Sequence, residues 1–413
     1  MTHRPINVLW LIDHVCYDGS LHGGGRLFMN LFPRFDPSRV RIHPYFLRAS
    51  DEVKALFEAA NHPVQSLELG KYDLRTFTRI AQLCNQHDID VMHLYCYASS
   101  TFGRIVGNLM GIPTIVHDFD TQVYFPYPLY LRIADRLLAK STAKAFAASA
   151  HCASYMRDRR GLPADRIEVL FHAIPTDHFS ARAQLDRTTA RRSLGLGDEF
   201  LFAAITKLGP DRGNEALLTA FADVRRRVPG AKLAIVYKPT LYHRVPKEYE
   251  RLDWARDPQQ MVARVSALID SLGVGDSVEL VNSLEHPDAY YAAADVLVAP
   301  FENERFSSVN LVEGMAYGRA HVVTDVGEPA DLVTRYKSGL KVPVGDAAKV
   351  ADAMVTLATD PQLLAQLSHN ARKGAADLTV DAVARRMSLV YESLSSADEE
   401  PETVSNAETT QES

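Results

Sequence analysis

Short apolar runs alternate with longer amphipathic segments along most of the chain. In the first part the runs are INVLWLI, VRIHPYFL, DVMHLY and PTIVHDF, and the patterns between them include GRLFMNLF and TFGRIVGNLMG. Strands that are apolar throughout and are linked by amphipathic helices are typical of a parallel sheet covered on both faces. This segment therefore predicts a doubly wound α/β domain.

The same order begins again after about residue 176, with the strand patterns LFAAIT, AKLAIVY, SVELV, DVLVAP and AHVVT. Two doubly wound α/β domains in tandem are the simplest arrangement of these patterns. The expected parts are an N-terminal domain at 1–176, a C-terminal domain at 177–375, a helix at 376–396 and a disordered acidic tail at 397–413.

The net charge of −6 is concentrated at the end of the chain. Residues 398–413 hold six acids and no Lys or Arg, so the remaining 45 acidic residues balance the 45 basic ones. A balanced body argues against general nucleic-acid binding, which depends on clustered Lys and Arg. The polar tail has no aromatic residue, and its composition is typical of disorder.

The chain carries no pattern for export or for crossing a membrane. Its four cysteines show no CxxC pair, which favours a reducing compartment over a disulfide framework. The start, MTHRPINVLWLID, leads straight into a strand pattern, and no stretch reaches the roughly 18 apolar residues of a membrane span. The sequence predicts a cytoplasmic protein.

Ligands of doubly wound domains bind beyond the carboxyl ends of the strands, and each predicted domain has one suggestive loop there. In DHVCYDGSLHGGGRLF, Gly23, Gly24 and Gly25 precede a helix and allow close approach of a ligand, although a flexible connector would look the same. In ITKLGPDRGNEALLTAF, Lys207 and Arg212 flank a helix start and suit a diphosphate, although ordinary surface charges are the alternative.

A third loop, FENERFSS, follows VLVAP and leads into the helix pattern VNLVEGMAYG, with Ser307 or Ser308 as the N-cap. Glu313 lies one turn inside this otherwise apolar helix. Burying a carboxylate is costly unless it is hydrogen-bonded, and two hydroxyls of a ribose are suitable partners. His117 lies at a strand end beside Asp118, where a hydrogen-bonded structural role is the alternative to a site role.

These motifs together resemble the retaining glycosyltransferases of the GT-B fold, of the group 1 or family 4 type. The resemblance implies two Rossmann-like domains that face a central cleft, with the helix at 376–396 packing back toward the N-terminal domain. Lys207-Leu208-xxx-Arg212-Gly213 is similar to their Arg-Leu-xxx-Lys-Gly diphosphate motif, and ENERFSSVNLVEGMAYGRAHVVT is similar to their motif of two glutamates with a trailing EAMA.G.PVV. GGGRLFMNLF and AFAASAHCASYM resemble the family's glycine loop and a strand-helix before the domain crossing. The resemblance spans residues 6 to about 394.

The resemblance implies a role for each matching residue. Lys207 and Arg212 would neutralise the diphosphate of a UDP- or GDP-sugar, and Glu313 would hold its ribose. Glu304, or Glu302 in its place because eight residues rather than seven separate Glu304 from Glu313, would contact hydroxyls of the transferred sugar. The implied catalytic set is His117, Lys207, Arg212 and Glu304, and the implied donor-binding set is Gly23, Gly24, Gly25, Ser308, Val309 and Glu313.

The same family pattern implies transfer with retention of configuration, no metal and no cofactor besides the nucleotide sugar as co-substrate. It places the acceptor in the N-terminal domain, where DFDTQVYFPYPLYLR offers Asp118, Tyr124 and Tyr127. Aromatic faces suit sugar rings or lipid, and core packing is the alternative.

The next predicted helix carries Arg132, Arg136, Lys140 and Lys144 at four-residue spacing, a stripe that suits an anionic membrane surface holding a lipid-linked acceptor. A solvated helix face is the alternative. We therefore expect a hexosyltransferase of polysaccharide or glycolipid synthesis at the inner face of a membrane. A sugar-nucleotide epimerase and a non-catalytic sugar-nucleotide-binding or scaffold protein of the same fold stay open.

Overall fold

The computed structural model describes residues 4–17, 20–21, 23–119, 129–175, 186–239, 251–282, 287–303 and 309–396. The strands are β1 (Ile6–Ile12), β2 (Cys16–Tyr17), β3 (Ser20–Leu21), β4 (Val40–Phe46), β5 (Gln65–Ser66), β6 (Val91–Tyr95), β7 (Thr114–Asp118), β8 (Lys144–Ala147), β9 (Ile167–Val169), β10 (Leu201–Leu208), β11 (Lys232–Pro239), β12 (Val278–Val281), β13 (Val296–Ala299), β14 (Ala320–Thr324) and β15 (Gly339–Val342).

The helices alternate with these strands along the chain, and a short π-helical turn, Met156–Arg160, extends the sixth of them. They are α1 (Gly23–Leu31), α2 (Asp51–Ala59), α3 (Arg75–Gln86), α4 (Tyr97–Met110), α5 (Leu129–Ala139), α6 (Ala150–Tyr155), α7 (Arg187–Ser193), α8 (Asn214–Arg227), α9 (Pro258–Ser271), α10 (Asp288–Ala293), α11 (Val309–Ala316), α12 (Gly327–Tyr336), α13 (Ala347–Thr359), α14 (Pro361–Ala375) and α15 (Val380–Ser396).

Most of the described strands form two parallel sheets, while β2 and β3 pair with each other as a short antiparallel hairpin. The first has seven strands in the order β5-β4-β1-β6-β7-β8-β9, and the second has six in the order β12-β11-β10-β13-β14-β15. Each sheet reverses its order next to its first long strand, β1 or β10, and such reversal points are where doubly wound sheets bind ligands. The prediction of two Rossmann-like α/β domains is confirmed.

The first sheet is buried on both faces because its strands are apolar on both. One face, with Leu9, Leu11 and Leu94, packs against α3 and α4. The other, with Val8 and Trp10, packs against α1 and α15. Each fully buried large apolar side chain contributes about 1.5–3 kcal/mol, so both faces stabilise the domain.

Helix α15 follows the second sheet in the chain but packs on the first. Its buried side chains include Val380, Met387 and Tyr391, which join the core around Trp10. At its surface, Arg386 forms an ion pair with Glu168 of β9. The last helix therefore ties the end of the chain to the N-terminal sheet.

One predicted helix is shorter than its pattern. The spacing of Arg132, Arg136, Lys140 and Lys144 predicts one helical stripe, but α5 ends at Ala139. Lys144 instead begins β8, opposite Ile115 of β7, and its Nζ lies 3.9 Å from Glu168. The prediction that all four cations share a helix face is wrong, because pairing with β7 takes the chain into the sheet.

Candidate active site between the two domains

The two predicted diphosphate cations lie at the end of β10 and in the loop between β10 and α8. Lys207 is exposed at the carboxyl end of β10, and five residues later the side chain of Arg212 is 11% exposed. The guanidinium carbon of Arg212 lies 5.5 Å from the ring centre of Phe301, in the loop after β13. A guanidinium over an aromatic face is held in place by a cation-π interaction. Arg212 is therefore positioned by the neighbouring loop.

Two backbone contacts join the loops that follow β10 and β13. The amide of Glu302 donates to the carbonyl of Asp211 over 3.1 Å. Gly213 has φ +67°, and a Cβ added there would lie 1.8 Å from the carbonyl oxygen of Pro300. Only glycine accepts both this backbone conformation and this approach. The two motif loops thus form one unit at the carboxyl edge of the second sheet.

Helix α11 begins on the far side of this unit. Asn310, in its first turn, donates through Nδ2 to the carbonyl of Ile205 in β10 over 2.7 Å, which holds the helix start against that strand. Val309 is half-buried at the helix start, and Glu313 is half-buried one turn later. Glu304 and Ser308, both predicted site residues, lie outside the described residues.

Acidic side chains lie beside the cations in this region. Although Glu302 is an exposed residue, partial burial of its carboxyl raises its pKa, and the nearby charges of Asp211 and Glu215 raise it further. A group with these neighbours gains a proton more readily than an isolated glutamate. The backbone contact between Glu302 and Asp211 brings Glu302, the alternative to Glu304, next to the loop that carries Arg212.

The glycines of the first domain are in close contact with the protein itself. A Cβ on Gly24 would lie 3.0 Å from both Phe119 and the hydroxyl oxygen of Tyr95, and one on Gly25 would lie 2.8 Å from Val15. Helix α1 begins at Gly23. Glycine is therefore required at 24 and 25 by packing, which brings the start of α1 to the carboxyl ends of β6 and β7.

His117 is 1% exposed, near the end of β7. Its Nδ1 lies 3.1 Å from Nε2 of His93, and its ring centre lies 4.6 Å from that of Phe119. Burial, with His172 nearby, lowers the pKa of His117 to about 3. The ring is therefore neutral at physiological pH.

Asp118 belongs to an internal ion network. Its carboxylate accepts a hydrogen bond from Arg160 of the π-helical turn, and Arg160 and Arg104 both donate to Asp135. Burial alone would raise the pKa of Asp135, but the two guanidinium groups hold it well below the usual range. The structure therefore gives Asp118 an internal partner, and Tyr124 and Tyr127 lie outside the described residues.

The two domains meet through residues of α12. The backbone amide of His172 donates to Oε1 of Glu328 over 2.8 Å, and the His172 ring nitrogen Nδ1 lies 2.9 Å from Oε2. The amide of Ala150 donates to Asp331 over 2.6 Å. The ring of Phe119 packs against that of His172 at a tilt of 33°, with ring centres 4.7 Å apart. A continuous line of contacts therefore runs from His117 to the second domain.

Sequence reasoning did not find His93, His172 or Glu328, although a weak signal was present for the first. His93 lies within the apolar run VMHLY, and a polar group in a fully buried strand needs a partner. Among the described residues, no group of His, Cys, Asp and Glu side chains is arranged to hold a metal ion. In the same part of the chain, no helix has the length and apolar character to cross a membrane.

Two family models match most of the chain. The model of glycosyl transferases group 1 matches residues 186–374, and that of the glycosyl transferase 4-like domain matches residues 32–171. A solved structure, Anabaena HepE in complex with UDP, is 18% identical with a TM-score of 0.73 and covers 94% of this chain and 100% of its own. The GT-B architecture expected from the sequence is confirmed.

The curated relatives include a glycosyltransferase and a phosphotransferase. A D-inositol 3-phosphate glycosyltransferase of Thermomonospora curvata is 25% identical over 322 residues, which cover 73% of this chain and 71% of the relative. An exopolysaccharide phosphotransferase of Streptomyces coelicolor is 25% identical over 248 residues, 60% of this chain, and the chain spans only 23% of that relative's length. The chain belongs to the group 1 glycosyltransferases, a family of the EC 2.4 class.

Proposed function

We propose that this glycosyltransferase moves a sugar from UDP or GDP to a hydroxyl acceptor and that Lys207 and Arg212 bind the diphosphate. The observation that carries the proposal is the single unit formed by the loops after β10 and β13, which holds Arg212 between Asp211 and Phe301. Fixed cations beside a helix start stabilise the charge that develops on a departing diphosphate. Glu313, one turn inside α11, holds the ribose.

We further propose that transfer retains the anomeric configuration. An inverting displacement needs a protein base on the acceptor side, but Asp13 accepts hydrogen bonds from the amides of Ala98 and Ser99, and Asp118 is paired with Arg160. Both carboxylates are thus engaged within the protein. The bond from the anomeric carbon to the phosphate oxygen breaks as the acceptor oxygen bonds to that carbon on the same face. The acceptor proton goes to the departing phosphate oxygen.

Calorimetry with UDP, GDP and ADP, and with their common sugars, tests the donor. We expect micromolar binding of UDP or GDP that is lost in Glu313→Ala, because the ribose loses its carboxylate partner. Proton NMR of a product then compares its anomeric configuration with that of the donor. Inversion would overturn the proposed mechanism, and nucleotide binding without transfer to any acceptor would favour the non-catalytic binding protein.

Helix α5 supports contact with an anionic membrane. Four apolar side chains on it are exposed, with Leu137 75% and Ile133 51% exposed, and we call this set the α5 apolar stripe: Leu129, Tyr130, Ile133 and Leu137. Arg132 and Arg136 lie on the same helix and are also exposed, and Lys140 follows it. Exposed apolar side chains beside cations are typical of helices that rest in a lipid interface. We propose that this face docks on a bilayer that presents a lipid-linked acceptor.

Replacing Ile133 and Leu137 together with glutamate should reduce binding to vesicles of an anionic phospholipid about tenfold or more, since apolar burial is lost and the added charges are repelled. Co-flotation of the full chain with these vesicles measures the binding. Leu389→Glu is the matched control, because Leu389 is 52% exposed on α15, away from the stripe. An equal loss of vesicle binding in the control, or no flotation of the unaltered protein, would exclude the α5 apolar stripe as a membrane-docking surface.

A further inference from the structure

Three aromatic side chains with ring nitrogens lie on one face of the first sheet. Trp10 pairs in register with His93 across β1 and β6, and His93 pairs with Ile115 of β7. His117 is two residues beyond Ile115, and side chains two apart along a strand point to the same side. Trp10, His93 and His117 therefore follow one another across three adjacent strands, under the helix α15.

Tyr391 of α15 joins the first two of these rings. Nε1 of Trp10 lies 3.0 Å from the Tyr391 hydroxyl oxygen, and that oxygen lies 2.7 Å from Nδ1 of His93. Indole nitrogen is only a donor, so Trp10 donates to Tyr391. Trp10, His93 and Tyr391 are all 0% exposed, so water does not compete for these bonds.

The hydroxyl proton of Tyr391 has two acceptors within reach. Nδ1 of His93 is 2.7 Å away, whereas the sulfur of Met387 is 3.9 Å away. A separation of 2.7 Å is typical of an O–H donor and shorter than the usual 2.9–3.0 Å of an N–H donor. A hydroxyl that accepts a hydrogen bond also donates more strongly. Tyr391 therefore donates to His93 rather than the reverse.

This polarity determines where each imidazole carries its proton. Burial, with His117 nearby, holds the pKa of His93 well below its usual value, so the ring is neutral and has one proton. Because Nδ1 of His93 accepts from Tyr391, the proton is on Nε2, which donates to Nδ1 of His117 over 3.1 Å. His117 is also neutral, and its one proton must then lie on Nε2.

The last nitrogen of this series is Nε2 of His117. Nε2 of His117 is buried and has no hydrogen-bond partner among the described residues. His117 lies at the carboxyl edge of β7, and the ring of Phe119 packs at a tilt against the rings of both His117 and His172, whose partner Glu328 belongs to the second domain. A buried N–H without an acceptor is costly, and a ligand oxygen would remove that cost.

We propose that Tyr391 and His93 are positioning residues that fix His117 as the Nε2–H tautomer, so that His117 donates a hydrogen bond to a substrate oxygen and does not act as a base. The oxygen is a sugar hydroxyl or a phosphate oxygen of the nucleotide sugar, and this part rests on the proposed transferase function. The C-terminal helix thereby contributes to the site through Tyr391, without contacting the substrate.

The tautomer can be observed directly in the ligand-free protein. Long-range proton-nitrogen correlation spectra of a chain labelled with ¹⁵N at its histidine rings distinguish the two neutral tautomers, and a His117→Gln sample assigns the signal. We expect His117 to be protonated at Nε2. Protonation at Nδ1 would mean that the series runs in the opposite direction, with Tyr391 donating to Met387, and would overturn the proposal.

Two variants of His93 test the role in turnover. His93→Gln keeps a nitrogen donor for His117, whereas His93→Leu has a similar volume and no donor. We expect His93→Leu and Tyr391→Phe to convert His117 to a mixture of tautomers and to lower kcat about tenfold or more, with a smaller change in KM, because a positioned donor is lost. His93→Gln should recover most of the activity.

The outcomes separate this inference from the proposed function. A folded protein with the Nε2–H tautomer but no transfer from any nucleotide sugar would keep the hydrogen-bond series and reject the transferase role. If instead the protein transfers sugar but the His117 tautomer is the same in all variants, the transferase role is kept and the positioning role of His93 and Tyr391 is rejected. If Tyr391→Phe or His93→Leu fails to fold, the spectrum of the unaltered protein still decides the polarity.

Discussion

Replacing Lys207 or Arg212 with alanine should lower kcat/KM for the donor sugar about 100- to 1,000-fold, the usual effect of removing one group that stabilises transition-state charge. The structure places both at the carboxyl edge of β10, with Arg212 held against Phe301. Because the negative charge on the diphosphate grows as its bond to the sugar breaks, losing a cation should reduce kcat as well as donor affinity. Steady-state kinetics and calorimetry with the donor measure the two effects.

The matched control for Lys207→Ala is Lys349→Ala. Lys349 lies in the same domain, on α13, where its Nζ is 3.8 Å from Asp352 of the same helix. Lys349→Ala removes the same charge from a surface ion pair, and such a pair contributes at most about 1 kcal/mol to the free energy of unfolding. Arg212→Lys separates charge from geometry, since lysine cannot bond a diphosphate at two points. Unchanged turnover in Lys207→Ala, or an equal loss in Lys349→Ala, would refute the diphosphate site.

The sequence was sufficient to predict the long central strands because burial on both faces forces a continuous apolar run, whereas the short strands β9 (IEV) and β15 (GLKV) have no such run and were not predicted. Ile6–Ile12 and Leu201–Leu208 are, along the chain, the first strands of the two parallel sheets, at the positions that their apolar composition indicates. Lys207 lies at the carboxyl end of such a strand and Arg212 in the loop after it, so the candidate diphosphate residues could also be predicted from local pattern. Local pattern failed at Lys144, where pairing with β7 outweighed helical spacing.

The surroundings of His117 could not be predicted in this way. Its neighbour His93 is 24 residues away in the sequence. The hydroxyl that bonds His93 belongs to Tyr391, which is 298 residues from His93. His172 and its partner Glu328 are separated by 156 residues. Burial requires that such polar groups have partners but does not say which distant segment supplies them. The packing of α15 and α12 against the first domain makes that choice.

Gly213→Ala should have the second large effect, on both stability and donor binding. The added Cβ would lie 1.8 Å from the carbonyl oxygen of Pro300, and the residue has φ +67°. The left-handed conformation costs an alanine about 1–2 kcal/mol, and relief of the clash adds about 1–3 kcal/mol. We expect the free energy of unfolding to fall by the sum of these costs, as measured by urea denaturation.

Gly273→Ala separates the two costs, because Gly273 has a similar φ of +65° but nothing within 4 Å of the added Cβ. This control should show the conformational cost alone and keep full donor affinity. In Gly213→Ala the loops after β10 and β13 must move apart, so the contact between Arg212 and Phe301 is broken and nucleotide binding should be lost even when the variant is folded. Equal stability loss in both variants, with donor affinity unchanged, would show that the close approach to Pro300 does not position the diphosphate cations.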